Sequence, residues 1–217
     1  MEKLKEYIYN IIPMSDEDWM EMSQLFTMQS FKKGEVLYDM YDIPDRVSFI
    51  YEGIVRSYKL EENGKDFTWS FYWLSDITTA ERMISDVCVV DYANFVREKP
   101  AELVFEALED CKVVSITKED LFNLYKTDNK WHDFAWKVAE DAYFATRDRT
   151  LTMLTKSAKE RLEVLLTIFP TIFEKVPHYH IASYLGIAGP SLSRLRKEVD
   201  TNLPPLKSKS SFKFKLF

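Results

Sequence analysis

The chain has 217 residues, 46% of them hydrophobic and 29% charged, with 15 Phe, 12 Tyr and 5 Trp, the balance of a soluble globular protein with one large domain or two modest ones. No run of 18 or more apolar residues is present for a membrane helix, and two cysteines, Cys88 and Cys111, are too few for a metal cluster and read as small buried hydrophobes. The net charge of −6 is uneven: residues 1–149 carry 18 basic against 30 acidic side chains, a net of −12, and residues 150–217 carry 11 against 5, a net of +6, which fits a two-part molecule whose rear meets a polyanion.

Residues 3–29 read as helical. Leu4, Tyr7, Ile8 and Ile11 form an apolar face before Pro13, a short amphipathic helix rather than a signal peptide, so a cytoplasmic protein is expected. Ser15 with Asp18 three residues on resembles a capping box, followed by Trp19, Met22, Leu25 and Phe26. From Phe31 to Val114 short runs of β-formers alternate with turns at Lys33-Gly34, Glu52-Gly53 and Asn63-Gly64. Asn-Gly is the strongest short hairpin signal, so Val55–Leu60 pairs with Phe67–Trp73. Such spacing indicates a small β-barrel or sandwich. Ala107–Ser115 reads as a last strand, and Thr117 caps a short helix to Leu124.

A longer helix spans about Asn129–Leu154, free of Gly and Pro. Trp131, Phe134, Ala135, Val138, Ala142 and Ala145 recur at steps of three and four. This stripe suits packing on the chain's own barrel or on a second copy of itself. A symmetric contact through Trp131, Phe134, Val138, Ala142 and Ala145 is the favoured expectation. Ser157–Phe169 is a further helix ended by Pro170. The tail, KSKSSFKFKLF, is a short edge strand or a floppy basic end.

The stretch His178–Lys197 meets the steric demands of a helix-turn-helix. Ala182 is small where two helices cross, and Gly186 four residues later tolerates positive φ. Ile181, Leu185, Ile187, Leu192 and Leu195 fill the wedge. The second helix starts near Ala188 or Gly189, with Pro190 in its first turn. Its outward face carries Ser191, Arg194 and Lys197, with Ser193 and Arg196 flanking. Arg194 is the candidate for bidentate contact with a guanine edge. Arg196, Lys197 and the segment containing His178 and His180 are candidates for phosphate contact. Gly189 and Pro190 occupy positions where base-reading side chains often sit, so a sparse direct code leaning on DNA shape is expected.

Four segments carry a resemblance: FKKGEVLY (31–38), ALEDCKVVSITKEDLFNLY (107–125), SAKERLEVLL (157–166) and PHYHIASYLGIAGPSLSRLRK (177–197). In this order they resemble the Crp/Fnr family of bacterial transcription regulators, the last segment being similar to a subgroup common in Bacteroidetes. The resemblance implies an α+β fold: an N-terminal double-stranded β-helix (β-roll) flanked by helices, a long dimerisation helix, and a C-terminal winged helix-turn-helix. The implied division is a cyclic-nucleotide-binding-like sensor domain over 1–127, a dimerisation helix over 128–155 and a DNA-binding domain over 156–217. The implied partners are DNA with a palindromic operator, a second copy, RNA polymerase and an unidentified small-molecule effector.

The sequence departs from members of that family that bind cyclic AMP. Their phosphate cassette pairs Gly-Glu with Arg-Ser or Arg-Thr, because amides and a guanidinium neutralise a cyclic phosphate. Here the Arg-Ser places fall at Ala101 and Glu102, and the region reads Trp73-Leu-Ser-Asp76 with no Gly between Gly64 and Gly186. Loss of cyclic nucleotide binding is expected. Two cysteines cannot ligate an iron–sulfur cluster, and His132, His178 and His180 lie outside the β-rich region, so no cofactor or metal is expected. Phe67, Trp69, Phe71, Tyr72 and Trp73, with Ala101 and Glu102, are candidates to line a pocket for a less polar effector. No catalytic constellation is present, which argues against an enzyme. The alternative to a DNA-binding regulator is a sensor module whose DNA binding has decayed, supported by Gly189-Pro190.

Overall fold

Helix α1 (Glu2–Ile11) buries Leu4 and Ile8, one turn apart, completely. Helix α2 (Asp16–Ser23) opens with a true capping box: the Asp18 amide donates to Ser15 Oγ at 3.1 Å, and the Ser15 amide donates to the Asp18 carboxylate at 2.9 Å. The computed structural model describes residues 1–11, 13–74 and 87–202. The chain divides into two compact units, Met1–Leu154 and Thr155–Phe217.

The helix expected to run to residue 29 stops at Ser23. Thr27–Phe31 forms strand β1 because it pairs antiparallel with β8 (Cys111–Thr117), Thr27 opposite Ser115 and Phe31 opposite Cys111. The remaining strands are β2 (Val36–Tyr38), β3 (Arg46–Glu52), β4 (Ile54–Leu60), β5 (Asp66–Trp73), β6 (Cys88–Val89) and β7 (Val104–Ala107). They form two four-stranded sheets, in the orders β1-β8-β3-β6 and β2-β7-β4-β5. The hairpin at Asn63-Gly64 joins β4 to β5, with Gly64 at φ 79°. The single strand expected over Ala107–Ser115 is in fact two, because the chain crosses at Leu108–Asp110 from one sheet to the other.

Gly53 makes a second crossing, from β3 to β4, at φ 89°. A Cβ there would lie 2.6 Å from Cys111 Cβ and 2.8 Å from the Asp110 carbonyl oxygen. Only glycine fits where the two crossings touch.

Strand alternation sorts the first sheet's side chains between two cores. Ile50, Val89 and Val113 join Val55, Tyr72, Phe105 and Ala107 of the second sheet in the core between the sheets. Val47, Phe49, Cys88, Val114 and Ile116 point the other way, into a layer of helices. That layer includes α1, α2, α3 (Tyr92–Arg97), α4 (Lys118–Tyr125) and the long α5 (Lys130–Thr155). Thr117 Oγ1 accepts the Asp120 amide and caps α4 as expected. Lys130 Nζ, 2.5 Å from Asp18 Oδ1, ties the start of α5 to α2.

The second unit holds α6 (Ala158–Ile168), α7 (Ile172–Lys175), α8 (His178–Leu185) and α9 (Gly189–Asn202). Ser157 and Glu160 form a capping box on α6. Helices α6, α8 and α9 touch one another, and Leu162, Leu165, Ile172, Ile181, Leu185, Leu192 and Val199 are buried. The expected wing and basic tail after Asn202, and Ser75 and Asp76, lie outside the described residues.

Candidate nucleic-acid interface and sensor site

Helix α8 ends because Gly186 adopts the left-handed conformation, φ 66° and ψ 37°, and donates its amide back to Ala182 and Ser183. Only Ile187 and Ala188 then separate it from α9. Ala182 is buried. The Ala188 carbonyl accepts the amides of Ser191 and Leu192, so Pro190 costs the first turn nothing. Leu192 and Val199 anchor the inner face of α9, while Gly189, Pro190, Ser193, Arg194 and Lys197 are exposed and Ser191, Leu195 and Arg196 are half-buried.

Two basic residues of α9 are therefore placed differently. Arg194 projects from the exposed face. The Arg196 guanidinium lies 4.6 Å from the Phe173 ring centre, with its Nη1 3.5 Å from His178 Nε2. Phe173, His178, Leu192, Ser193, Arg196 and Lys197 line a recess of about 330 Å³. His178 is exposed, but His180 is only 3% exposed, next to Ile181 on the buried side of α8, and its ring packs on Tyr179. This corrects the expectation that His180 meets a phosphate: the helical turn carries it inward.

The sensor's expected pocket residues do not share one wall. Ser57 pairs with Ser70 and Tyr58 with Thr68, so Trp69 is the extra residue of a β-bulge, and alternation is broken between Phe67 and Phe71. Phe67 and Trp69 flank Arg149 of α5, whose guanidinium lies 5.9 and 5.5 Å from their rings and donates to the Thr68 carbonyl at 3.1 Å. Phe71 and Ala101 are buried, Trp73 is half-buried, and exposed Glu102 pairs with Lys59 at 2.7 Å. Side chains of both sheets meet between them. Phe105 packs on both Tyr38 and Tyr72, at 5.8 Å between ring centres in each case. The Tyr72 hydroxyl bonds Ser57 Oγ at 3.1 Å, and that of Tyr38 bonds Ser48, which bonds Ser115 at 2.6 Å.

One residue that sequence reasoning missed is Asp91. It caps α3, its Oδ1 accepting the Asn94 amide, and its Oδ2 accepts the Asn94 side-chain amide at 2.9 Å and the Glu102 amide at 2.9 Å. The backbone and side-chain amides of Asn94 and the backbone amide of Glu102 thus donate to one carboxylate, beside Ala101. The signal in the sequence was an Asp three residues before Asn94, which reads as a cap only where a helix is expected, and the run to Val114 reads as strands.

The expected dimer stripe on α5 also divides. Trp131 and Phe134 are buried in the chain's own helical layer and Val138 packs against it, while Ala142 and Ala145 are half-buried. The large apolar residues exposed along α5 are others: Trp136, Tyr143, Phe144, Leu151 and Leu154. Among the described residues, no helix is long and apolar enough to cross a membrane.

Comparison with known proteins bears on this geometry. Residues 28–128 match the family of the cyclic nucleotide-binding domain. No curated protein matches the chain in sequence. Among solved structures it is similar to FixK2 of Bradyrhizobium japonicum, at 19% identity and a TM-score of 0.66 over 81% of this chain and 85% of that one. It is similar to a Eubacterium rectale protein described as a transcriptional regulator of the Crp/Fnr family, at 18% identity and 0.63 over 88% of each. The c-di-GMP-responsive global regulator CLP of Xanthomonas campestris gives 11% and 0.62, over 85% of this chain and 91% of that one. At these identities the likeness carries the fold alone, and residues 28–128 are those of a cyclic nucleotide-binding domain.

Proposed function

We propose that this protein is a sequence-specific DNA-binding transcription regulator that acts as a homodimer and whose β-roll holds no cyclic nucleotide. The observation that carries the first part is the placement of α9: a helix anchored by Leu192 and Val199, following a tight turn at Gly186, with Arg194, Ser193 and Lys197 on its exposed side. A basic rear unit is the electrostatic footprint such a helix needs. In this reading Arg194 contacts a base edge, Lys197 and His178 meet phosphates, and Arg196 stays on Phe173 as a support for the recognition face. Gly189 and Pro190 bring no hydrogen-bonding side chain to the first turn, so shape supplies part of the specificity.

The homodimer contact is assigned to the exposed side of α5. Trp136 and Tyr143 are seven residues apart, and Leu154 follows at eleven, a spacing that keeps them near one stripe. Exposed aromatics of this size on one helix call for a partner. Loss of cyclic nucleotide binding is supported by Asp91, which takes up the Glu102 amide, and by Ala101 in place of a phosphate-binding arginine. Titration of the full chain with duplex DNA at two salt concentrations tests the main reading. Affinity should fall steeply with salt, by about 10³-fold or more between 50 and 200 mM for six or more phosphate contacts. Salt-independent or absent binding would contradict it.

A further inference from the structure

On the helix-covered face of the first sheet, a pocket of about 160 Å³ lies between that sheet and α3, α4 and α5. Phe49 and Ile116 form its floor, Phe95 and Leu121 its sides, and Phe134 and Val138 of α5 its roof. An apolar cavity of about 150 Å³ stays dry and takes up a benzene-sized molecule, so this one has room for a single aromatic ring or a short acyl chain. Val96 and Phe122, 58% and 48% exposed, leave an apolar rim between α3 and α4 through which such a molecule can enter.

The pocket also has a polar corner. Cys88, Tyr92 and Tyr125 line it and lie within electrostatic reach of one another. Burial pushes the Cys88 thiol up to about 12 and raises both tyrosines, so all three are neutral donors and acceptors at physiological pH. Lys118 sits 5.0 and 5.5 Å from the Phe95 and Phe122 rings, but it is already bound to Glu98 at 2.9 Å and to the Phe95 carbonyl at 2.8 Å. An anion entering this pocket would be desolvated without compensation. We propose that the pocket binds a small neutral amphiphile, with its ring or chain against Phe49, Phe95 and Phe134 and a single hydroxyl or carbonyl against Tyr92 and Tyr125. Because Phe134, Ala135 and Val138 belong to α5, which runs to the end of the first unit, an occupant adds packing to that helix. Any effect on DNA affinity rests on the regulator reading above; the binding itself does not.

Calorimetric and melting titrations of the full chain with 4-ethylphenol test this, with ethylbenzene and 4-ethylbenzoate as comparators. One saturable site is expected for 4-ethylphenol, raising Tm on the order of 5–10 °C at 100-fold excess over Kd. Ethylbenzene and 4-ethylbenzoate should each bind at least about tenfold more weakly, and Tyr125→Phe should weaken 4-ethylphenol by about tenfold, the usual size of one lost hydrogen bond. Ala135→Leu, which fills the pocket from α5, should abolish saturable binding. If that variant fails to fold, Val138→Phe replaces it. No saturable binding of 4-ethylphenol, binding unaffected by the filled variant, or equal affinity for ethylbenzene would overturn the proposal. Failure of the chain to bind DNA would overturn the regulator reading and leave this titration unaffected.

Discussion

Asp91 accepts the backbone amide of Glu102 at 2.9 Å, next to the buried Ala101. That carboxylate also caps α3, and on the proposed reading it would repel a phosphate there and leave it fewer amide donors. The full chain with millimolar cyclic AMP should therefore show a Tm change of less than about 1 °C, whereas a ligand bound at 100 times its Kd would add about 2.7 kcal/mol to stability. A saturable shift of several degrees would refute this.

Gly53 sits where the crossing from β3 to β4 touches the backbone at Asp110 and Cys111. Gly53→Ala must place a Cβ inside contact distance of Cys111 and Asp110 at positive φ. A loss of at least about 2 kcal/mol is expected, with Tm lower by about 4–8 °C. Gly64 also has positive φ but nothing within 4 Å. Gly64→Asn should cost less than about 1 kcal/mol, since asparagine tolerates this conformation. Thermal unfolding of the two variants side by side checks the contrast.

Asp18 joins the cap of α2 to Lys130 of α5, and that ion pair with the Ser15 bonds lowers its carboxyl to about 2. An unfolded aspartate titrates near 3.9. The folded state thus holds the proton less tightly, and the stability this contributes is present above about pH 4 and is lost as pH falls toward 2. Asp18→Asn should cost about 1 kcal/mol at pH 7, a difference that shrinks steadily below pH 4. Denaturant unfolding at pH 7 and pH 3 reads this, and an unchanged difference at pH 3 would be against it.

Tyr143 and Trp136 are 64% and 74% exposed, so replacing them costs the monomer little. Trp136→Ala combined with Tyr143→Ala should weaken self-association by about 2 kcal/mol or more, roughly 30-fold, as loss of interface aromatics does. Ala142→Ser should leave it nearly unchanged. Sedimentation at micromolar concentration distinguishes these outcomes.

Much of this was legible in advance, and the misses have physical causes. Ser15, Thr117 and Ser157 announced three helix starts because caps are local chemistry. Asn63-Gly64 announced the β4–β5 hairpin for the same reason. Thr27–Gln29 reads locally as helix because its strand partners, Val113–Ser115, are more than eighty residues away. The apolar period on α5 correctly marked a buried face, but periodicity does not say what covers it: Trp131 and Phe134 face the chain's own core, and the aromatics left outside fall on another face of the helix. The bulge at Trp69 broke a two-residue alternation that the aromatic run seemed to continue. His180 was grouped with His178 by type, whereas the helix turns it inward.

The most direct test of the regulator reading is selection of binding sites from random duplexes, with the native chain and with Arg194→Ala. The native chain should enrich a two-fold symmetric site with half-sites about 10 base pairs, or one helical turn, apart. Arg194→Ala should lose discrimination at one base pair per half-site, by roughly 1–3 kcal/mol, while keeping the rest of the site. Binding that enriches no symmetric sequence, or an Arg194→Ala variant that weakens every sequence alike, would contradict the account.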